Sequence, residues 1–291
     1  MALACAAGCG SSGTSPNKEP TEQDAIYDII RYDAPQAFDL DSLDFSIPDT
    51  SSLLAAPFRV VQFWRHLGKD SLFISIALRM PQAGDSVGTV PQASVTVQKF
   101  FWGTLEIIAI DTTNGGQEPV RLTKPFNMEG YIDGFFERLG RPENTRRGWR
   151  LRKVSDAIFG SPSGQIRSIE IDSDTGFVRF APIAVTQLSD IILFDPGDSV
   201  TIRVETLNTE YYVTLRYPST NRFISQRLEP DSSGEYVLGF RMPNSFGYGH
   251  FIIDAISKDA VTSNLTTPYN PAAVGVLFRL PWPVGKIQNG E

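Results

Sequence analysis

The sequence predicts a mainly β protein with two β-rich parts and a single helix in front of the first part. Apolar and polar residues alternate through most of the chain, which is typical of strands that are buried on one face. Only residues 21–33 combine a helix start signal with helical apolar spacing. From about residue 188 the pattern changes to short strands, each bounded by turn residues, which indicates a sandwich.

The helix is predicted from its first residue onward. Thr21 is followed three residues later by Asp24, which resembles a capping box. Ile26, Ile29 and Ile30 then follow at helical spacing, and proline at position 35 disfavours helix in the residue before it. We therefore expect a helix that ends just before Pro35 and covers one face of the strands that follow.

Long antiparallel strands are predicted for the rest of the first part. Residues 58–65 and 72–78 read as two strands separated by a turn at Lys69-Asp70. The segment 129–139 reads as a further strand, and residues 148–154 read as its partner across a loop. A sheet of this kind needs one face covered, which the helix provides.

The second part begins after a predicted connecting hairpin. Its turn is Asp172-Ser173-Asp174-Thr175-Gly176, which also resembles the start of a calcium loop. Phe177 stands where an EF-hand loop needs glycine, so turn chemistry explains these residues without a metal. About seven strands follow between residues 191 and 280.

Two segments carry a resemblance to known families. The helix ending near RYD (31–33), the long paired strands and the strand GWRLRKVS (148–155) resemble the nuclear-transport-factor-2-like fold. That resemblance implies an α+β cone, in which a curved sheet wraps around N-terminal helices and encloses an apolar pocket. The stretch PGDSVTIRVE (196–205) resembles bacterial immunoglobulin-like modules, which implies a β-sandwich that acts as a spacer or adhesive unit.

These patterns divide the chain into five segments. They are a leader and tether (1–20), the cone-like domain (21–160), the connecting hairpin (161–187), the immunoglobulin-like sandwich (188–281) and a tail (282–291).

The leader resembles the end of a bacterial lipoprotein signal peptide. Ala6-Ala7-Gly8-Cys9 follows the lipobox pattern of small residues before the cysteine that receives a diacylglycerol, although Ala6 stands where leucine is usual. The Ser/Gly-rich run after Cys9 then reads as a flexible tether. This interpretation places the protein in the bacterial cell envelope, attached by lipid, extracytoplasmic and at the outer membrane, with the start of the signal upstream. Cys5 is a second candidate, and a simple frayed terminus is the alternative.

Composition argues against several function classes. A net charge of −7 and a pI near 5.0 argue against nucleic-acid binding, which needs a cationic surface. The only cysteines are Cys5 and Cys9, and the only histidines are His66 and His250, so no zinc site of several Cys or His ligands is predicted. No phosphate-binding loop or nucleophile elbow occurs, and we predict neither a cofactor nor a catalytic residue.

The candidate binding residues come from two features of the first part. Aromatic residues crowd it, and a basic run spans residues 146–153. The basic run could bind an anionic ligand beside a stacking tryptophan, or it could be the solvated face of a strand whose Trp149 and Leu151 are buried. The candidates are Trp64, His66, Trp102, Tyr131, Trp149, Arg150 and Arg152.

The function predicted from these features is binding without catalysis. We expect a lipid-anchored envelope protein whose ligand is a small molecule, a glycan or a partner protein. The alternative is an extracytoplasmic isomerase or hydrolase that uses carboxylates in the pocket of the first domain, with His66 as a possible base. A structural or assembly component is a third interpretation.

Overall fold

A computed structural model of the chain shows a mainly β protein whose strands belong to one hydrogen-bonded, 16-stranded sheet. The prediction of a mainly β fold is therefore confirmed. The structure describes residues 19–40, 53–55, 58–111, 119–160, 165–180, 185–187, 191–218, 223–244, 247–262, 269 and 271–281.

The helical elements are short. They are α1 (Glu22–Asp28), a π-helical turn (Ile29–Asp33), two 3-10 turns (Pro35–Phe38 and Thr145–Gly148) and α2 (Lys258–Thr262). The strands are β1 (Leu53–Ala55), β2 (Phe58–Arg79), β3 (Gln92–Asp111), β4 (Pro119–Arg138), β5 (Trp149–Ser155), β6 (Ala157–Gly160), β7 (Ile166–Ser173), β8 (Gly176–Phe180), β9 (Val185–Gln187), β10 (Ile192–Leu193), β11 (Ser199–Thr206), β12 (Tyr211–Pro218), β13 (Phe223–Pro230), β14 (Tyr236–Arg241), β15 (Gly247–Ser257) and β16 (Ala272–Leu280).

The strands follow a single path in which each pairs with its neighbour. The order is β1-β2-β3-β4-β6-β16-β15-β12-β13-β14-β11-β7-β8, while β5, β9 and β10 pair at its sides. The predicted pairing of β4 with β5 and the predicted hairpin of β7 and β8 are both confirmed.

The N-terminal helix has the predicted capping box. The Asp24 backbone N–H donates to Thr21 Oγ1 at 3.1 Å, and the Thr21 N–H donates to Asp24 Oδ2 at 2.8 Å. The helix ends before Pro35 as predicted, but its last turn is wider than α-helical. The Ala34 N–H bonds to the carbonyl of Ile29, five residues back, at 2.9 Å.

Strand β2 runs through the predicted turn at Lys69-Asp70, and that prediction is wrong. The chain continues as one strand of 22 residues, and its register against β3 shifts between Leu67 and Lys69. Gly68 is the extra residue of this β-bulge, which breaks the alternation of faces without reversing the chain. A local polar pair resembles a turn, but β3 supplies a continuous hydrogen-bonding partner on both sides of it.

The first hydrophobic core lies between the N-terminal helix, the inner face of β2–β4 and one face of β12, β15 and β16. The end of the helical segment contacts the sheet closely where a glycine replaces a side chain. A Cβ at Gly134 would lie 2.8 Å from the ring of Phe38, so only glycine lets this ring stack on Phe136, with ring centroids 6.2 Å apart.

The second hydrophobic core lies on the other face of the same strands. A layer made of β7, β11 and β14 packs on β12, β15 and β16, giving a β-sandwich-like arrangement. Along β15, Ile252 and Ile256 point into the first core, whereas Phe251, Ile253 and Ala255 point into the second. Strands β15 and β16 are therefore buried on both faces.

Both cores draw residues from both sides of the predicted connector. Ile158, which precedes the connector, contributes to the second core. Tyr212 and Ile252, which follow it, contribute to the first core, where the Tyr212 ring lies 5.2 Å from the ring of Phe63. The two halves of the chain consequently share one layer of strands, β12, β15 and β16, which we call the shared wall.

A buried ion pair crosses the first core between β2 and β15. Arg65 Nη2 lies 2.5 Å from Asp254 Oδ2, and the two side chains are 1% and 3% exposed. The Arg65 guanidinium also lies 5.4 Å from the ring centroid of Tyr269 and 5.8 Å from that of Phe126. This cluster joins the long strands of the first half to the shared wall.

We expect Asp254→Ala to destabilise the protein by about 3–5 kcal/mol, because the Arg65 guanidinium would stay buried without its counter-charge. Urea unfolding followed by tryptophan fluorescence measures the change. The double substitution Arg65→Met with Asp254→Leu is the control, since it removes both charges of the pair together and should recover most of the stability. If the double variant were as unstable as Asp254→Ala, the loss of stability would come from the changed shape of the side chains and not from an unpaired charge.

Candidate functional site

The candidate site is the solvent side of β2–β4, which we call the outer face. It is the face opposite the first core. Tyr131 on β4 lies opposite Ile158 on β6, and both side chains pack against the second core. The outer face is thus the continuation of the sheet face that β7, β11 and β14 cover farther along. On β2 and β3 it carries exposed residues, among them His66, Phe73 and Trp102.

Four of the predicted binding residues share this outer face. Trp64 lies opposite Glu106, and His66 lies opposite Thr104. Trp102 lies opposite both Lys69 and Asn127, and Tyr131 lies opposite Gln98. Residues that face each other across an antiparallel ladder point to the same side of the sheet, so the four side chains line one surface.

The Gly68 bulge brings the two ends of β2 onto the same surface. Before the bulge the outward residues are even-numbered, as in Trp64 and His66, and after it they are odd-numbered, as in Lys69 and Phe73. Without the extra residue, one of the two sets would point into the first core, because strand side chains alternate between faces.

Three aromatic rings on the outer face form a continuous run across two strands. The rings of Phe73 and Phe100 meet edge to face with centroids 5.8 Å apart, and Phe100 stacks beside Trp102 at 6.4 Å. Phe73 is 53% exposed and Trp102 is 46% exposed. Exposed large aromatic side chains in contact with each other are unusual on a soluble surface and mark binding sites.

Phe73 and Phe100 were not among the candidates from sequence. A signal was available for Phe100, because residues two apart on a strand share a face, which puts Phe100 and Trp102 together and Phe101 on the other side. Phe101 is indeed only 2% exposed. Deciding which of the two faces is buried requires the partner elements, and the run of consecutive aromatic residues does not contain that information.

Polar side chains adjoin the rings and hold each other in place. The Gln98 side-chain amide donates to Glu129, and Thr96 Oγ1 donates to Asp133 Oδ1 at 2.6 Å. Burial, together with the nearby charges of Asp133 and Glu129, raises the pKa of the Tyr131 phenol. The rings are thus flanked by oriented carboxylate and amide groups and by a protonated phenol.

A second polar group lies at the far end of the outer face. Arg121 Nε donates to Glu106 Oε2 at 2.8 Å, and Thr104 Oγ1 donates to Glu106 Oε1 at 2.9 Å. The hydrogen bond from Arg121 outweighs burial and, with Thr104 and the nearby His66, keeps the pKa of Glu106 below its usual range. Glu106 is therefore a fixed carboxylate in this position.

Trp149 is placed differently from the other aromatic candidates. It is fully buried, and its indole N–H donates to Glu22 Oε2 at 2.5 Å. Arg138 and Arg147 also bond to Glu22, at 2.8 and 3.1 Å. Burial alone would raise the pKa of Glu22, but the hydrogen bonds from Trp149 and Arg147 lower it. Trp149 thus attaches the first turn of α1 to the sheet and offers no ring face to a ligand from solvent.

Most of the basic run is paired within the chain. Arg146 bonds to Asp33 at 2.9 Å and to Asp28 at 2.7 Å, so these two helix carboxylates neutralise it. Arg146 and Arg147 both have left-handed backbone angles, with φ of 51° and 52°, a strained conformation that their ion pairs help to hold.

Arg150 and Arg152 lie at the β5 end of the sheet. Arg150 is opposite Glu137 on β4, and Arg152 Nε lies 3.2 Å from Glu137 Oε2. One carboxylate thus lies beside both arginines, and these two residues do not form an unopposed anion site.

Two partly open grooves flank the helix. One, of about 370 Å³, lies between the helical segment and β2–β3 and is lined in part by Phe38, Leu72 and Lys99. The other, of about 470 Å³, lies between the start of α1 and the loop that contains Asn144. His66 lines neither groove. The buried carboxylates Asp156 and Asp254 also line neither, so His66 is not placed beside a carboxylate in either groove.

Two buried titratable groups lie next to the shared wall. Burial lowers the pKa of His250 to about 4. Burial raises the pKa of Asp156 to about 7, partly opposed by a hydrogen bond from the Leu277 N–H at 3.3 Å. His250 lies directly opposite Leu277 on the neighbouring strand. In the folded protein Asp156 therefore stays uncharged up to about pH 7, and His250 stays uncharged down to about pH 4.

Comparison with known proteins gives no functional assignment, so function has to be inferred from the geometry of the site. No protein-family model matches the chain, and no curated protein matches it. Among the described residues, no three His, Cys, Asp or Glu side chains are grouped so that they could hold a metal ion. The described helices are all too short or too polar to cross a membrane. Cys9, the predicted lipidation site, lies outside the described residues.

We expect Asp156→Asn to become increasingly stabilising, relative to the parent protein, as the pH rises from about 4 to about 7. In this range the folded protein binds more protons at position 156 than the unfolded chain, so the parent loses stability as the pH rises. The advantage of the variant should be small near pH 4 and roughly 2–4 kcal/mol above pH 7. Urea unfolding across this range measures it.

His250→Phe is the control for Asp156→Asn, because its effect should have the opposite pH dependence. The unfolded chain binds more protons at position 250 between about pH 4 and 6.5, so the parent gains stability there as the pH rises. The variant's stability relative to the parent should fall over the same range. If the stability of both variants relative to the parent changed with pH in the same direction, the pKa shift assigned to Asp156 or to His250 would be wrong.

Proposed function

We propose that this chain is a lipid-anchored, non-enzymatic binding protein of the bacterial cell envelope. Its ligand in this proposal is an uncharged glycan that lies along the outer face of β2–β4. The observation that carries the proposal is the run of three aromatic rings on the outer face, Phe73, Phe100 and Trp102, of which Phe73 and Trp102 are exposed.

The rings supply the apolar part of sugar recognition. A sugar ring has a C–H face that packs on an aromatic ring, and such packing needs a ring that is held flat and accessible. Trp102 is supported by Phe100, which in turn is supported by Phe73. Because all three lie on strands that are paired along their length with β3 or β4, binding a chain of sugars would cost little ordering of the protein backbone.

The polar neighbours supply the hydrogen bonds. Glu129, Asp133 and Gln98 present oxygen acceptors beside the rings, and sugar hydroxyls are donors to such groups. The same carboxylates would repel an anionic polymer, and the net charge of −7 adds to this repulsion. A neutral glycan therefore fits the surface better than a nucleic acid or an acidic polysaccharide.

The shape of the site favours an extended ligand over an enclosed small molecule. A small ligand is usually buried in a cleft for most of its surface, whereas the outer face that carries the aromatic run is open, with Phe73 and Trp102 exposed. The alternative of a carboxylate-based isomerase or hydrolase requires a base beside a pocket acid. His66 is exposed and lies opposite Thr104, so this alternative gains no support.

The cellular location in this proposal rests on the leader alone. A diacylglycerol on Cys9 supplies two acyl chains, which is enough for stable attachment to a membrane. The Ser/Gly-rich residues that follow would tether the folded part at a distance from the outer membrane, where a glycan-binding face can reach its ligand.

The finer fold assignment is part of the same proposal. A helix packed on the inner face of long antiparallel strands supports a relationship of residues 21–160 to the nuclear-transport-factor-2-like fold. A layer of β7, β11 and β14 packed over β12, β15 and β16 supports a relationship of residues 188–281 to immunoglobulin-like sandwiches.

The binding proposal predicts that Trp102→Ala weakens glycan binding about tenfold, because one stacking ring contributes about 1 kcal/mol or more. The assay is isothermal titration with soluble neutral oligosaccharides (β-1,4-, β-1,3- and α-1,4-linked glucans), with polygalacturonate as the anionic comparison. Phe177→Ala is the matched control, since Phe177 is 61% exposed on β8 and is not part of the outer face. Equal losses in both variants, or binding of polygalacturonate alone, would refute the proposal.

The anchor proposal predicts an acylated cysteine in the mature protein. We expect mass spectrometry of the protein, expressed in a bacterium from its full reading frame, to find an N-terminal fragment that begins at Cys9 and carries diacylglycerol. Cys9→Ser should abolish the modification and release the protein from membranes, whereas Cys5→Ser should have no effect. An unmodified Cys9 in a membrane fraction would contradict the anchor but not the glycan site.

A further inference from the structure

Strand β2 leaves a long edge of the sheet open. On the side away from β3 it pairs with β1, and this pairing reaches only from residue 58 to residue 60. Within the described part of the chain, no other strand lies along β2 on that side from residue 61 to residue 79. An open edge carries a row of backbone N–H and C=O groups that can pair with another strand.

The second half of this edge lacks the features that usually prevent pairing. Proteins protect edges with charges, prolines and bulges, and here the Gly68 bulge and the charged Lys69 and Asp70 protect the first half. The next eight residues, Ser71 to Leu78, contain no charge and no proline. Leu72 is 49% exposed, and Ile74, Ile76 and Leu78 are partly exposed on the inner face.

We propose that a second copy of this chain pairs with this edge, antiparallel, about a two-fold axis at Ser75. In that register Ser75 faces Ser75 of the partner subunit, and Ile74 faces the partner's Ile76. Leu72 then faces the partner's Leu78, so that apolar side chains meet apolar side chains on the inner face. Such cross-strand pairs are the unit of stabilisation in a sheet.

Charge argues against one neighbouring register, and the other puts a charged side chain opposite an aromatic ring. An axis one residue earlier, at Ile74, would place Lys69 opposite the partner's Arg79, and like charges directly opposite each other are unfavourable. An axis one residue later, at Ile76, would place Arg79 opposite the partner's Phe73. With the axis at Ser75, Arg79 faces only the partner's Ser71, and Asp70 faces the partner's Met80.

The dimer would also cover apolar surface that the single chain leaves open. Leu72 and Ile74 line the groove of about 370 Å³ beside the helix. The partner's Leu78 and Ile76 would extend the apolar floor of that groove across the new pairing. Because the two-fold axis of an antiparallel pair is perpendicular to the sheet, both outer faces would lie on the same side, although dimer formation does not depend on what they bind.

The first experiment uses charge at the symmetry axis. We expect the full chain to be a dimer at micromolar concentration in analytical ultracentrifugation. Ser75→Lys and Ser75→Glu each place two like charges opposite each other, so each should weaken the dimer at least tenfold. An equimolar mixture of the two variants should dimerise again. The control is Ser94→Lys, because Ser94 is exposed on β3, away from the edge, and that variant should remain a dimer.

The second experiment tests the register in a chain with Cys5→Ser and Cys9→Ser. Residues opposite each other in an antiparallel pair have Cα atoms about 4.5–5.5 Å apart, which suits a disulfide. Ser75→Cys should therefore form a disulfide-linked dimer under mild oxidation. Ala77→Cys is the control and should not crosslink. In this register Ala77 faces the partner's Phe73, which is four residues along the strand from the partner's Ala77.

The outcomes separate the proposal from its competitors. A parent chain that is monomeric at micromolar concentration overturns it. Equal crosslinking through Ser75→Cys and Ala77→Cys overturns the register, as does a dimer that Ser75→Lys leaves intact. Selective crosslinking at Ser75, together with rescue in the mixed sample, supports it.

Discussion

Strands β15 and β16 are buried on both faces, and the arrangement of the whole chain depends on this constraint. One face of β15 supplies Ile252 and Ile256 to the core that the N-terminal helix closes, and the other supplies Phe251 and Ile253 to the sandwich. A strand in this position must be apolar on both sides. The one buried charge that it carries, Asp254, is paired with Arg65 from the opposite strand of the first core. Neither half of the chain is therefore complete without the other.

The charges near the helix are organised by the same need to pair buried groups. Glu22 receives bonds from Arg138, Arg147 and the indole of Trp149, and the helix is thereby attached to the sheet at its first turn. These contacts use groups that, in the sequence, looked available for an anionic ligand. The surface that remains is the outer face, where aromatic rings lie beside hydrogen-bond acceptors and Tyr131 adjoins the second core. Function is proposed there because Phe73 and Trp102 on this surface are exposed and belong to neither core.

The candidate site was partly predictable. Trp64, His66, Trp102 and Tyr131 were singled out as aromatic or polar residues in strands, and all four lie on the outer face. The position of Phe73 beside them could not be predicted, because it depends on the bulge at Gly68, next to the Lys69-Asp70 pair that the sequence indicates as a turn. A one-residue shift exchanges the two faces of a strand, so a local misreading changes which side chains meet a ligand.

The sequence by itself determined the local elements: the capped helix, the alternating strands, the hairpin turns and the acidic balance of the surface. These depend on interactions within a few residues, namely capping hydrogen bonds, backbone preferences and apolar periodicity. Tertiary structure alone decided which strands lie together, that β15 and β16 serve two cores, and that Trp149 is buried while Trp102 is exposed. The physical reason is that burial and charge pairing are properties of contacts between distant segments. Arg65 and Asp254, 189 positions apart in the chain, are an example.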